Sequence, residues 1–162
     1  KIKSKYINIQ IFDAKKNSTK LYRIFKSLKY FQSNHFLVTY GDGLANINFN
    51  KQLFKLKKKQ NHNIVTVFKI RSQYGHVDYS KKLKVLSFKE KPYLNLPINI
   101  GYYVFNRFNF IKYFNKRDEL ETKFLQKLIK KNLLSIYEHK GFFFNIDNKK
   151  DLEQVKNKFK GI

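Results

Sequence analysis

Apolar and polar residues alternate from Tyr6 to Phe12, with Ile7, Ile9 and Ile11 on one side, and the alternation predicts a strand. A polar connection follows, Asp13-Ala14-Lys15-Lys16-Asn17-Ser18. From Thr19 to Phe31 the apolar residues Leu21, Ile24, Phe25 and Leu28 fall close to helical spacing, although a strand followed by a short helix fits the same stretch. Phe36 to Thr39 is a short run with the character of a strand buried on both faces, and it stops abruptly in Gly41-Asp42-Gly43. Asn48 is placed to cap a helix carrying Phe49, Leu53, Phe54 and Leu56, which ends in Lys57-Lys58-Lys59. Ile64 to Ile70 predicts a buried strand. Gln73 to Tyr79 with Lys84 to Phe88 predicts a hairpin, and Ile98 to Phe105 a further strand after Pro97. Leu120, Phe124, Leu125, Leu128 and Ile129 form the stripe of a helix ending near Lys131. Two short strands close the pattern, Leu133 to Tyr137 and Phe142 to Ile146. A last helix, capped by Asn148, carries Leu152, Val155 and Phe159 on one face.

Strand, helix and strand in succession around residues 36–70 imply a parallel crossover, so the expected class is α/β, a mixed and mostly parallel sheet with flanking helices. No linker, repeat or low-complexity block interrupts the 162 residues, which read as a single domain, 1–162.

Composition narrows the setting. No stretch of some 18 apolar residues suits a membrane span and no leader pattern opens the chain, so a cytoplasmic protein is expected. The absence of cysteine excludes disulfides and thiolate metal sites. The chain opens on Lys1 and contains no methionine, as a piece of a longer product would. A net charge of +24 would attract any polyanion, yet the basic residues are almost all lysines dispersed along the chain, with only Arg23, Arg71, Arg107 and Arg117 beside them. Arginine is the usual reader of bases, and abundant Asn, Ile, Phe and Tyr point to an A/T-rich coding bias. Specific nucleic-acid recognition is therefore the least favoured reading. His35, His62, His76 and His139 lack metal-ligand spacing and read as surface or packing residues.

The chemistry begins at Gly41-Asp42-Gly43. A carboxylate at the carboxyl end of a strand, flanked by glycines, suits an oxygen-preferring ion such as Mg²⁺ near a phosphate, while the same residues also make an ordinary turn. Two further markers follow in order, Glu90-Lys91-Pro92 and Gly141-Phe142-Phe143-Phe144-Asn145-Ile146-Asp147. Taken with Thr39-Tyr40-Gly41-Asp42-Gly43, Ile98-Asn99-Ile100-Gly101-Tyr102-Tyr103-Val104 and Tyr137-Glu138-His139, this series resembles the sugar-1-phosphate nucleotidyltransferase family, within it the glucose-1-phosphate cytidylyltransferase branch. The resemblance runs from about Ile9 to Glu153.

It implies a Rossmann-like, nucleotidyltransferase-type sheet. It also implies a reaction that joins glucose-1-phosphate to CTP with release of pyrophosphate, giving a nucleotide sugar for surface polysaccharide synthesis. By family match, Asp42 and Asp147 hold Mg²⁺ and Lys91 meets the sugar phosphate. Glu90 accepts hydrogen bonds from the sugar, with Tyr40, Gly41, Gly43, Asn99 and Gly101 bordering the substrates. Ser18 and Arg23 fall on the ends of a Thr-x-Thr-Gly-Gly-Arg segment of the nucleotide site. The partners implied are a nucleoside triphosphate, a sugar-1-phosphate and further copies of the chain, and no membrane is implied.

Each assignment has a plainer alternative. Asp147 could serve only the start of a helix, and Glu90-Lys91 could be a solvated ion pair. The chain also departs from the family. Its Gly-rich triphosphate loop is missing, as expected of an N-terminally truncated match, and Lys20-Leu21-Tyr22 stand where Thr-Gly-Gly would. Ile100 replaces a Gly, Phe143 a Trp and Asn148 a Thr. These departures keep open a relative that binds sugar phosphate without turnover. A sheet lacking its first part should also leave an open edge and exposed apolar residues.

Overall fold

The computed structural model describes residues 2–3, 8–11, 13–58 and 62–160. In chain order the strands are β1 (Ile2–Lys3), β2 (Asn8–Ile9), β3 (His35–Thr39), β4 (Gly43–Ala45), β5 (Asn63–Phe68), β6 (His76–Tyr79), β7 (Val85–Lys89), β8 (Ile98–Asn106), β9 (Leu134–His139) and β10 (Phe143–Asn145). The helices are α1 (Lys20–Ser27), α2 (Phe49–Lys58), α3 (Arg107–Tyr113), α4 (Leu125–Lys130) and α5 (Lys149–Lys158). A 3₁₀ turn spans Leu28–Tyr30, and a π-helical turn spans Leu120–Phe124. Two compact units result, one of Lys1–Asn34 with Arg107–Leu133, the other of His35–Asn106 with Leu134–Ile162.

In the first unit the stretch from Thr19 resolves as helix. The Thr19 hydroxyl caps α1 by accepting from the Tyr22 N–H, and Leu21 and Leu28 are buried at helical spacing. Arg107 closes the following 3₁₀ turn, donating to the carbonyls of Phe31 and Leu28 at 2.9 and 3.1 Å. Of the stripe expected from Leu120, Leu120, Phe124, Leu125 and Leu128 are buried while Ile129 is half exposed, and the stripe starts in the π turn before α4. Of the strand expected over Tyr6 to Phe12, Tyr6, Ile7 and Phe12 lie outside the described residues. Asn8–Ile9 pairs antiparallel with Ile2–Lys3.

The second unit holds a four-stranded sheet in the order β3-β8-β5-β9. It is mixed: β8 runs antiparallel to both β3 and β5, and β5 is parallel to β9. Three strands therefore point one way. The crossover from β3 through α2 to β5 joins strands of like direction, but β8 lies between them, so they do not hydrogen-bond to each other. This position corrects the reading of Phe36 to Thr39. β3 is an end strand of the sheet and is not buried on both faces: Phe36 is buried, while Leu37 is 47% exposed. The doubly covered strands are β8 and β5, whose apolar runs are nearly continuous. Leu56 of α2 packs with Ile64 of β5 and Val104 of β8, and Asn48 caps α2 by accepting from the Lys51 N–H at 3.0 Å. Gln52 donates to the Thr66 hydroxyl at 2.8 Å in full burial.

The predicted hairpin is present as β6 and β7. Its register puts Val77, Tyr79, Val85 and Phe88 on one face, all at least half exposed. Among the described residues, no helix is long and apolar enough to cross a membrane.

The last helix begins with a capping box. The Asn148 side chain accepts from the Asp151 N–H, and Asp151 accepts in return from the Asn148 N–H. Asn148→Ala should cost about 1 kcal/mol of stability, read as a lower denaturation midpoint at unchanged denaturant dependence. An unchanged midpoint would refute the cap.

Candidate active site

In the second unit, the carboxyl ends of β3, β5 and β9 and the start of β8 share one edge of the sheet, since Thr39 pairs with Tyr102, Phe68 with Ile98, and His139 with Phe68. That edge is where open α/β sheets bind ligands. Tyr40 to Gly43 leave it from β3, the β6–β7 hairpin and Glu90-Lys91 from β5, and the segment leading to Asp147 from β9.

A second, two-stranded ladder organises part of this edge. β4 pairs antiparallel with β10, Gly43 opposite Asn145, and the Ile146 N–H donates to the Asp42 carbonyl at 2.8 Å. Asp42 and Asp147, 105 positions apart, thereby lie on neighbouring strand ends, both exposed. Asp147 stands directly before the N-cap of α5, where the helix dipole favours a carboxylate. Capping is carried out by Asn148 and Asp151, and the Asp147 backbone N–H is itself held by Asp151 at 3.0 Å. The Asp147 carboxylate instead accepts from the Asn145 side chain at 2.6 Å. Among the described residues nothing donates to the Asp42 carboxylate, and no group of three or more His, Cys, Asp or Glu could hold a metal ion by itself.

Asn46 and His139 fasten the other end of this ladder, and neither was singled out from the sequence as a site residue. The Asn46 side chain accepts from the Phe142 N–H at 2.9 Å, and the buried His139 ring lies 2.9 Å from the Phe142 carbonyl. Both backbone groups of Phe142 are thus satisfied, the N–H by a residue nearly a hundred positions away and the carbonyl by one three positions away. Burial of His139 agrees with a packing role, and its bond to the backbone shows what it packs for.

The other cluster is a bulge in β8. Val65 pairs with Tyr103 and Val67 with Asn99, so two steps along β5 answer four along β8. Bulges of this kind re-aim side chains near active sites. Gly101 takes up the bend with φ +75°, its N–H donating to Asn99 Oδ1 at 3.0 Å and its carbonyl accepting from the Tyr40 N–H at 3.2 Å. The Tyr40 ring packs directly over Gly101. Tyr102 reaches the Gly43 carbonyl at 2.7 Å, and Tyr103 touches both Asn99 and Tyr40. The structure therefore brings together Tyr40, Gly41, Asp42, Gly43, Asn99, Gly101 and Asp147.

Glu90 and Lys91 follow β7 at the foot of the hairpin. Among the described residues neither is ion-paired, both are exposed, and Lys91 has φ +45°. Backbone in that region is uncommon for a residue with a Cβ and concentrates at functional sites. A cavity of about 530 Å³ lies beside this foot, lined by residues of the hairpin and of Pro92 to Leu96.

Ser18 and Arg23 belong to the first unit. Arg23 donates through Nε to the Ser18 hydroxyl and through Nη2 to the Lys16 carbonyl, both at 3.2 Å. Leu21, at a position where the family pattern has Gly, is wholly buried, and the Tyr22 ring stacks at 6.4 Å on Phe114.

An open mixed sheet with two carboxylates at its carboxyl-end edge defines an α/β protein with its ligand edge there. The chain belongs to the nucleotidyl transferase family, whose model matches residues 4–157. It is 33% identical over 135 residues to the "Probable glucose-1-phosphate cytidylyltransferase" of Bacillus subtilis, a match covering 82% of this chain and 52% of that protein. It is 30% identical over 138 residues to the "Putative mannose-1-phosphate guanyltransferase" of Sulfolobus acidocaldarius, covering 81% and 37%. The chain thus spans about half the length, or less, of these curated relatives. Among solved structures it is similar to HddC from Yersinia pseudotuberculosis, with a TM-score of 0.63 at 21% identity, covering 88% of this chain and 63% of that one.

Proposed function

We propose that this protein transfers a nucleotidyl group to a sugar-1-phosphate. A phosphate oxygen of the sugar-1-phosphate attacks the α-phosphorus of a nucleoside triphosphate. The new P–O bond forms as the bond to the β-phosphate's bridging oxygen breaks, and pyrophosphate leaves with the electron pair. The observation that carries this reading is the β4–β10 ladder, which holds Asp42 and Asp147 side by side at the ligand edge of the sheet.

Their oxygen donors suit Mg²⁺, for which two carboxylates completed by phosphates and water are an ordinary ligand set. Bound there, Mg²⁺ would supply charge neutralisation between the two phosphate groups. Lys91 adds a point charge toward the sugar phosphate, and Glu90 accepts from sugar hydroxyls. Asn99, Gly101 and Tyr40 form the wall of the sugar side, and Gly41 and Gly43 allow close approach beside Asp42. The net charge of +24 favours capture of two polyanionic substrates.

CTP and glucose-1-phosphate are the substrates we infer, supported by the motif resemblance and by the Bacillus subtilis relative. The guanyltransferase relative makes GTP with mannose-1-phosphate the pair to exclude. Assembly into a homo-oligomer, implied by the resemblance, and a cytoplasmic setting, expected from composition, belong to the same reading.

The test is Mg²⁺-dependent pyrophosphate release by the purified protein, any flanking coding sequence retained, with CTP or GTP against glucose- or mannose-1-phosphate. Release with CTP and glucose-1-phosphate is expected to exceed the other three pairs at least tenfold. Release from no pair would refute turnover and leave the second reading, a relative that binds sugar phosphate without reaction. That reading is favoured by Leu21 and Tyr22, which pack inside their own unit where the family pattern opens a glycine approach to the nucleotide.

A further inference from the structure

Tyr103 lies in the middle of β8 with 1% of its surface exposed, yet it carries a hydroxyl that burial obliges to find partners. It has two. Asn99 Nδ2 is 2.6 Å from it, and Tyr40 Oη is 3.3 Å away.

The direction of the first bond follows from Gly101. Its backbone N–H can only donate, and it donates to Asn99 Oδ1 at 3.0 Å. The carboxamide is thereby oriented with its nitrogen toward Tyr103, because the reversed amide would set two donors against each other. Asn99 Nδ2 then donates to the Tyr103 oxygen, and the Tyr103 and Tyr40 hydroxyls share a bond in which either oxygen can donate. The bonds join Asn99, Tyr103 and Tyr40 in one chain.

We propose that Tyr103 is a positioning residue for the sugar-1-phosphate. It touches no ligand. It locks Asn99, before the bulge, and Tyr40, on the neighbouring strand's end, into one mutual geometry before the ligand arrives. Asn99 is exposed, and its carboxamide would otherwise rotate freely; the cost of ordering it on binding is removed in advance. The role rests on the sugar-1-phosphate reading given above, and its test separates the two.

Tyr103→Phe deletes one oxygen and keeps the ring, which stacks on Phe105 at 5.4 Å and 12°. The dissociation constant and KM for glucose-1-phosphate should rise about five- to tenfold, the loss of one anchoring hydrogen bond, while the KM for the nucleotide and kcat stay near their original values. Asn99→Ala should weaken glucose-1-phosphate binding as well, and the double variant should be little worse than Asn99→Ala alone, since both remove one coupled unit. A residue that served folding only would impair both substrates alike and add its effect to that of Asn99→Ala, which would overturn the proposal. In the ligand-free protein, the Asn99 side-chain amide, followed by NMR, should exchange slowly and lose that protection in Tyr103→Phe; an unaffected amide overturns the network. An unaltered protein that binds no glucose-1-phosphate overturns the functional reading and the positioning role with it. Equal binding by the unaltered protein and the variant overturns the positioning role alone.

Discussion

Asp42→Asn should reduce Mg²⁺-dependent pyrophosphate release by about a thousandfold or more, the scale on which removal of a preorganised electrostatic group acts on the chemical step. The substitution keeps the shape of the side chain and removes its charge. The local backbone should not respond, because the Ile146 N–H is received by the Asp42 carbonyl and no donor among the described residues engages the carboxylate. Asp42 is exposed, so stability should change by no more than about 0.5 kcal/mol. Loss of turnover at an unchanged unfolding midpoint is therefore the specific expectation, with Asp147→Asn behaving alike. Raising Mg²⁺ should recover part of the rate, since one of the two carboxylates remains. Full activity in Asp42→Asn would remove Asp42 from the metal site.

The second large effect is on the fold. A Cβ at Gly101 would lie 2.6 Å from Tyr40 Cδ2 and 2.9 Å from Tyr40 Cγ, and φ there is +75°. The left-handed backbone costs roughly 1–2 kcal/mol for an alanine, and forcing an atom into packed surroundings roughly 1–3 more. Gly101→Ala should thus lose about 2–5 kcal/mol by denaturant unfolding, with Tyr40 displaced from its place over the bulge. Gly41→Ala is the contrast. A Cβ there would meet nothing within 4 Å, so its effect on stability should stay within about 0.5 kcal/mol. Equal losses at the two glycines would mean that the bulge does not depend on Gly101.

The two glycines illustrate what could be read in advance. Both stand in motifs, and an isolated glycine inside a strand pattern already hints at a bulge. Which of them has no room for a side chain depends on Tyr40, and that contact is not local. The edge strand teaches the same lesson. Phe36 to Thr39 has the composition of a covered strand, but coverage is decided by neighbours, and β8 rather than β3 took the central place. The roles of Asn46 and Tyr103 depend on partners, Phe142 for the first and Tyr40 for the second, that only strand pairing brings to them, whereas His139 meets Phe142 locally, three residues on.

By itself the sequence determined most of the elements, though its pattern marked neither β4 nor α3 and left the stretch from Thr19 open between helix and strand. Helical and alternating periods, the caps Asn48 and Asn148, and the carboxylates at strand ends are written over a few neighbouring residues, where backbone geometry and local hydrogen bonding act. Tertiary structure alone decided that β8 inserts between β3 and β5, that Asp42 meets Asp147 through the β4–β10 ladder, and that a buried tyrosine hydroxyl joins Asn99 to Tyr40. Each of these is a contact between residues far apart in the chain, formed when strands satisfy one another's backbone groups and buried polar atoms find their partners.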